Sequence, residues 1–262
     1  MFVTVEGASL HMEVRGPDDA PPVLFVHGYP LTHAMWTRVV GLLPGRCRCL
    51  TPDLRGLGQS QPSARAGIGR HADDLAALLD AARATRPVVL VGLSMGVVIA
   101  FEFFRRHRAR LRALVLANGR ATPETAEGAR KRRDTAELVR RRGSRVAADL
   151  MTPMVLGRSA GPALRAELHA MMSSSSTVGV AAGALALAER PDSTPTLAAI
   201  DVPTLLIAGD EDAVTPPAMM RDMAERIPGS TLVRIPGAGH VTPMEAPGSF
   251  ATALEHFLAG LR

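Results

Sequence analysis

The chain has 262 residues, of which 47% are hydrophobic and 21% are charged, and its formal net charge is +5. These proportions are typical of a globular protein and exclude disorder of the whole chain, and the length predicts one large domain or two small ones. Lys131 is the single lysine among 30 basic residues. We interpret the charge as arginine-rich residue usage and expect no nucleic-acid partner.

The sequence shows neither a targeting or membrane-spanning segment nor a cysteine pattern typical of secreted proteins. The first residues lack a charged start followed by an apolar stretch, and no run of about 18 apolar residues occurs, so we expect a cytoplasmic protein with no membrane partner. Cys47 and Cys49 stand two apart on a predicted strand. That spacing favours two small buried side chains over a disulfide, and no second Cys or His pair accompanies them as a metal site requires.

The predicted elements alternate along most of the chain. Residues 2–6 and 9–14 show a period of two and predict a hairpin. Apolar runs that predict buried strands follow at 23–26, 47–50, 88–91, 114–116, 204–208 and 232–235. Helical patterns lie between them, at 72–84, 97–106, 218–226 and 250–261. This alternation predicts an α/β protein with a mostly parallel, doubly wound sheet.

The alternation stops between residues 119 and 195, where helical patterns, four methionines and a serine run replace the strands. We therefore predict a core formed by residues 1–118 and 196–262, interrupted by a helical cap at 119–195. The arginines between 130 and 145 are interpreted as the solvated face of a cap helix, with attraction of anionic substrates as the alternative.

One strand runs directly into the sequence Gly92-Leu93-Ser94-Met95-Gly96, and a helical pattern follows. This G-x-S-x-G spacing predicts a sharp strand-to-helix turn that exposes the Ser94 hydroxyl. Glycines on both sides leave room for close backbone contacts, and the helix start aims N–H groups at developing negative charge. Ser94 is therefore the predicted nucleophile.

A serine nucleophile needs a base that a carboxylate orients. His240 follows an apolar strand on a glycine-rich loop and is the predicted base. The remaining histidines considered are expected at the surface, on polar faces of strands or helices: His11, His71, His107, His169 and His256. Candidate acids follow another buried strand, at Asp210, Glu211 and Asp212.

Taken together, these segments resemble a serine α/β-hydrolase over nearly the whole chain. The resemblance is carried by Val26-His27-Gly28-Tyr29-Pro30, Asp53-Leu54-Arg55-Gly56-Leu57-Gly58-Gln59-Ser60, the Ser94 motif, residues 209–216, and Gly239-His240 with Pro243-Met244-Glu245. It implies an α/β-hydrolase fold with an inserted helical cap. It also implies Asp212 as the catalytic acid, with Asp210 as the alternative, and an oxyanion hole formed by the backbone N–H groups of Tyr29 and Met95.

The implied reaction is hydrolysis of a small carboxylic ester or lactone through an acyl-enzyme on Ser94, with no metal and no cofactor. Enol-lactonase and carbon–carbon bond hydrolase activities are alternatives, and a non-enzymatic ligand-binding protein is the alternative of a different class. Dehalogenases and epoxide hydrolases carry aspartate at the turn and are excluded by Ser94. The Gly28-Tyr29-Pro30 loop resembles cofactor-free haloperoxidases and predicts a perhydrolase side activity.

The substrate pocket is expected beneath the cap, where flexible methionines suit an adaptable apolar wall. Its predicted residues are Tyr29, Trp36, Met151, Met154 and Val241. The oligomeric state is left open.

Overall fold

Eight strands form a single sheet in a computed structural model of the chain, which describes residues 1–43, 45–64 and 66–261. The strands are β1 Phe2–Val5, β2 Ala8–Arg15, β3 Pro22–Val26, β4 Arg48–Pro52, β5 Val88–Leu93, β6 Leu111–Ala117, β7 Thr204–Gly209 and β8 Thr231–Ile235. Their order is β1-β2-β4-β3-β5-β6-β7-β8. β2 pairs antiparallel with β1 and β4, and every later pair is parallel, so the predicted hairpin and the predicted sheet are both confirmed.

Helices cover both faces of this sheet and connect its parallel strands. They are α1 Thr37–Gly41, α2 Ile68–Ala81, α3 Met95–His107, α4 Ala126–Arg142, α5 Arg145–Val155, α6 Pro162–Ser174, α7 Thr177–Ala188, α8 Thr194–Leu197, α9 Pro217–Arg226, α10 Thr242–Glu245 and α11 Pro247–Gly260. Every residue of β3, β5 and β7 is buried, which explains why those strands are unbroken apolar runs in the sequence.

Helices α4 to α7 all lie between β6 and β7, within the segment predicted as a cap. In this segment α4 packs on α7 and α5 packs on α6. A Cβ atom on Gly179 would lie 1.7 Å from the Gly56 carbonyl oxygen, so α7 meets the loop after β4 backbone to backbone. The Gly58 N–H also donates to the Ser175 hydroxyl at 2.9 Å. The inserted helices therefore rest directly on the sheet domain.

Two further expectations concern the cysteines and the membrane. Cys47 and Cys49 are free and buried, with their sulfur atoms 3.4 Å apart, as expected from their position on one face of the β4 region. Among the described residues, no single helix is long and apolar enough to cross a membrane, and α6 and α7 meet the criteria of length and composition only as a pair bent by 96°.

Candidate active site

Ser94 stands at the sharp turn between β5 and α3. Its φ of 54° and ψ of −108° lie in a backbone region that residues other than glycine rarely adopt. A Cβ on Gly92 would lie 2.5 Å from the Gly96 carbonyl oxygen, and a Cβ on Gly96 would lie 2.4 Å from the Val26 carbonyl oxygen. The G-x-S-x-G spacing therefore reflects two backbone contacts that admit no side chain, and they hold Ser94 out from the sheet.

The structure brings three predicted side chains into one hydrogen-bonded line. The Ser94 Oγ lies 2.8 Å from His240 Nε2, and His240 Nδ1 lies 2.8 Å from Asp212 Oδ2. His240 and Asp212 are each 4% exposed, so water is largely excluded from the bond between them. Ser94, His240 and Asp212 lie on the loops after β5, β8 and β7, whose carboxyl ends meet at one edge of the sheet.

Asp212 rather than Asp210 contacts His240. The carboxylate of Asp212 accepts hydrogen bonds from the Thr215 hydroxyl at 2.6 Å and the Thr215 N–H at 2.9 Å. Burial raises the pKa of Asp212, but the bonds from His240 and Thr215 outweigh burial and hold the pKa at about 2. Asp210 instead accepts from Arg234 at 2.7 Å on the far side of the turn. Asp212 is therefore ionised near neutral pH and places a carboxylate anion beside the imidazole of His240.

The predicted oxyanion loop lies directly against the turn. A Cβ on Gly28 would lie 3.2 Å from the Ser94 Cβ. Within the described part of the chain, the N–H groups of Tyr29 and Met95 donate to no other group, so both are available to a ligand. His27 supports the loop from below, because its Nε2 accepts from the Leu54 N–H at 3.0 Å.

Asp53 supports the same loop from the other side. Its carboxylate accepts from the His33 N–H at 2.8 Å and from His11 at 2.9 Å. The ligand atoms of His11, His33 and Asp53 lie within 4.8 Å of one another and could hold a metal ion.

His11 is 6% exposed and His71 is 1% exposed, so the expectation of surface positions is wrong for both. The alternating pattern of β2 and the helical pattern of α2 identify a polar face, but they do not show whether other parts of the chain cover that face.

A narrow cavity of about 30 Å³ opens beside the nucleophile. Its walls come from the turn, the loops after β6 and β7, and the inserted helices: Ser94, Met95, Val98, Gly119, Arg120, Arg132, Leu187, Arg190, Val214 and Thr215. Most arginines of α4 are exposed, as the solvated-face interpretation expects, whereas Arg132 is half-buried and turns into this cavity.

The predicted pocket residues are not among these walls. Trp36 is fully buried between the rings of Phe25 and Phe250, at 5.3 and 5.7 Å, and belongs to the core. Met154 is 54% exposed and borders a separate outer groove. The pocket prediction is therefore wrong for Trp36 and Met154, because chain proximity to the active-site loops does not fix the direction of a side chain.

The other three predicted pocket residues also pack elsewhere. The Tyr29 ring packs against α7, where a Cβ on Gly183 would lie 2.7 Å from its Cδ2. Met151 is partly buried and packs against the core, and Val241 is a core residue 1% exposed. These three side chains do not line the cavity beside Ser94.

The α/β hydrolase fold family matches residues 21–247. The chain belongs to this family. The AB hydrolase superfamily protein YisY of Bacillus subtilis is 32% identical to it over 247 residues, which is 90% of each chain. The 3-oxoadipate enol-lactonase 1 of Acinetobacter baylyi is 26% identical, and the match covers 100% of this chain and 97% of the lactonase.

Solved structures agree with this assignment to the α/β hydrolases. A thermophilic esterase from Thermogutta terrifontis, with malate bound, is 41% identical with a TM-score of 0.95, covering 99% of this chain and 97% of that one. The enol-lactonase from Burkholderia xenovorans is 26% identical with a TM-score of 0.90, covering 99% and 100%. The predicted α/β-hydrolase fold is confirmed, and the chain is a hydrolase homologue with esterases and enol-lactonases among its relatives.

Two polar residues of this α/β hydrolase site have no role predicted from the sequence. Asn118, at the end of β6, donates to Asp212 Oδ2 at 2.9 Å and accepts from Thr242 at 2.8 Å. Glu245 accepts from the N–H groups of Gly239 at 3.0 Å and Gly157 at 2.7 Å, and so fixes the loop that carries His240. A polar residue directly after a buried apolar strand was the available indication for Asn118.

Proposed function

We propose that this α/β hydrolase cleaves small carboxylic esters through an acyl-enzyme on Ser94. The observation that carries the proposal is the continuous chain of hydrogen bonds from Ser94 to His240 to Asp212, at 2.8 Å each, beside two unused backbone N–H groups. Such a chain suits nucleophilic acyl transfer, in which a base activates a hydroxyl and fixed donors stabilise the charge that develops.

The reaction has two halves. His240 Nε2 takes the Ser94 proton while Oγ attacks the ester carbonyl carbon, and the ionised Asp212 stabilises the imidazolium. The N–H groups of Tyr29 and Met95 bind the resulting oxyanion, each lowering the barrier by about 3 kcal/mol. The proton passes from His240 to the leaving alcohol, and the acyl group stays on Ser94. Water then repeats the attack with His240 as base and releases the carboxylic acid.

Turnover of 4-nitrophenyl acetate and butyrate tests the proposal, together with labelling by a fluorophosphonate. We expect hydrolysis of both esters, a covalent adduct at Ser94, and loss of activity and labelling in Ser94→Ala. Ser174→Ala changes an exposed serine of α6 and is the matched control. Absence of both turnover and labelling in the folded wild-type protein would favour the non-enzymatic alternative.

Lactone hydrolysis is the second candidate, since a lactone carbonyl is attacked in the same way. It is favoured by the enol-lactonase of Acinetobacter baylyi, which matches the whole chain at 26% identity. Five-membered enol-lactones added to the ester panel decide between the two. The perhydrolase side activity stays a prediction, and peracid formation from acetate and hydrogen peroxide tests it.

A further inference from the structure

Three arginines meet at the cavity beside Ser94. Arg120 lies on the loop after β6, Arg132 on α4, and Arg190 on the loop after α7. All three contact the carboxylate of Glu124, at 2.9, 2.7 and 3.0 Å respectively. The side chains of Arg190 and Glu124 are only 2% and 6% exposed. Arg190 and Glu124 are thus shielded from water, whereas Arg120 and Arg132 are partly exposed, at 23% and 26%.

This cluster carries an excess of positive charge. Among the described residues, Glu124 is the only carboxylate within 4.0 Å of any of the three guanidinium groups. Burial and, to a smaller extent, the positive charge of Arg120 lower the pKa of Arg190 to about 10. Buried charges are costly without a partner of opposite sign. Arg190 already donates to Glu124 and to two backbone carbonyls, so the excess charge lies on Arg120 and Arg132, and an anion in the cavity would balance it.

Unused donors face the same space. Arg132 donates from Nε to Glu124, and its two terminal nitrogens donate to no other described residue. A guanidinium group offers paired N–H donors whose geometry matches a carboxylate. The cavity holds only about 30 Å³ and is lined by Ser94 and Met95 as well as by the arginines. A carboxylate bound here would therefore lie a few bonds from the carbonyl under attack.

We propose that the arginine cluster binds a free carboxylate on the acyl part of the ester, so that the preferred substrates are half-esters of short dicarboxylic acids. The inference rests on the proposed esterase function and specifies its substrate class. With monoethyl succinate, water cleaves the acyl–oxygen bond and the products are succinate and ethanol. The acyl group is held at one end by Ser94 and at the other by the cluster.

Two esters of equal length test the substrate class. Monoethyl succinate differs from ethyl butyrate by a carboxylate in place of the terminal methyl group, and acid release from both is followed by pH-stat titration. We expect a higher kcat/KM for monoethyl succinate. Arg132→Gln should lower the ratio of the two kcat/KM values by about tenfold to a hundredfold, the effect of losing one hydrogen bond to a charged group. Arg132→Lys keeps the charge and should retain part of the preference.

Arg133→Gln is the matched control. Arg133 is the next residue on α4, is exposed, and carries the same charge, so this variant removes the same net charge without touching the cavity. We expect its ratio to stay within about twofold of wild type, as for a screened surface charge. An equal fall in both variants, or an unchanged ratio in folded Arg132→Gln, would overturn the inference and leave the arginines a purely structural role.

A measurement on the wild-type protein keeps the test decisive if Arg132→Gln does not fold. Succinate should inhibit ethyl butyrate hydrolysis competitively at lower concentration than its uncharged diamide does, and equal inhibition would contradict the carboxylate site. The two levels of proposal also fail differently. If neither ester is hydrolysed, the proposed function fails, whereas hydrolysis of ethyl butyrate without preference for monoethyl succinate overturns only the substrate class.

Discussion

Replacing Gly96 by alanine perturbs the Ser94 turn at its most crowded point. The added Cβ would lie 2.4 Å from the Val26 carbonyl oxygen and 3.3 Å from the His27 carbonyl oxygen, where ordinary contacts begin at 3.4 Å. Both neighbours are backbone at the end of the fully buried strand β3, so no side chain can turn aside. The start of α3 must therefore move away from β3 by about 1 Å.

This displacement sets the size of the expected losses of stability and of catalytic activity. Overpacking a well-packed interior costs about 1–3 kcal/mol, and a rigid backbone neighbour favours the upper end. For a chain of this size that corresponds to a melting temperature lower by about 6–12 °C. The N–H of Met95 precedes Gly96 directly, and a misplacement of about 1 Å at a reacting group lowers kcat by about a hundredfold.

Gly248→Ala is the matched control for Gly96→Ala. A Cβ on Gly248 would meet nothing within 4 Å, and the residue lies on α11. Alanine stabilises a helix by up to about 1 kcal/mol relative to glycine, so this variant should melt at or above the wild-type temperature. Thermal melts and 4-nitrophenyl acetate turnover are measured for both variants. A Gly96→Ala protein with wild-type melting temperature and kcat would refute the close-contact explanation of the motif.

Three other predictions concern buried polar groups. Thr215→Val removes the hydroxyl that donates to Asp212 at 2.6 Å, and urea unfolding should show a free energy of unfolding lower by about 1.5–3 kcal/mol. Because Asp212 stays ionised, kcat at pH 7 should fall less than about tenfold. Asp74→Asn breaks the ion pair between Asp74 and Arg55, whose side chains are 3% and 6% exposed respectively. It should lower the free energy of unfolding by about 3–5 kcal/mol in the same assay. Burial lowers the pKa of His71 from 6.5 to about 3, so below pH 6.5 the unfolded chain binds a proton that the folded protein excludes. The free energy of unfolding should therefore fall by up to about 1.4 kcal/mol per pH unit between pH 6.5 and 3, and His71→Leu should remove that share.

The sheet and the nucleophile turn could be predicted from the sequence because each leaves a local pattern. A strand covered on both faces must be apolar at every position, and β3, β5 and β7 are such runs. The turn needs glycine at two fixed positions because a Cβ on Gly92 would meet the backbone of Gly96, and a Cβ on Gly96 would meet the backbone of Val26. Both features can be recognised within a few consecutive residues, although the backbone that crowds Gly96 belongs to β3.

The partners of Asp212 illustrate what local patterns leave out. The family resemblance favoured Asp212 over Asp210, and the contact with His240 at 2.8 Å agrees with that choice. Asn118 is, in the sequence, only a polar residue after an apolar run, and nothing nearby indicates its partner. Its bond to Asp212 joins residues 94 positions apart, and it exists because β6 and β7 are neighbours in the sheet. Strand order is a tertiary property that a single sequence does not display.

The walls of the cavity were the hardest part to predict, and α4 shows the physical reason. Arg132 and Arg133 are consecutive, identical in chemistry and about 100° apart around the helix, yet only Arg132 turns into the cavity. The choice depends on how α4 packs against α7, and nine of the twelve residues of α7 are buried, so its sequence marks no single contact face. Packing against such a helix sets the rotation of α4, and that rotation decides whether the nucleophile faces an apolar wall or a guanidinium group. The α4–α7 contact therefore determines which side chain of α4 lines the cavity beside Ser94, although Ser94 itself stands on the sheet domain.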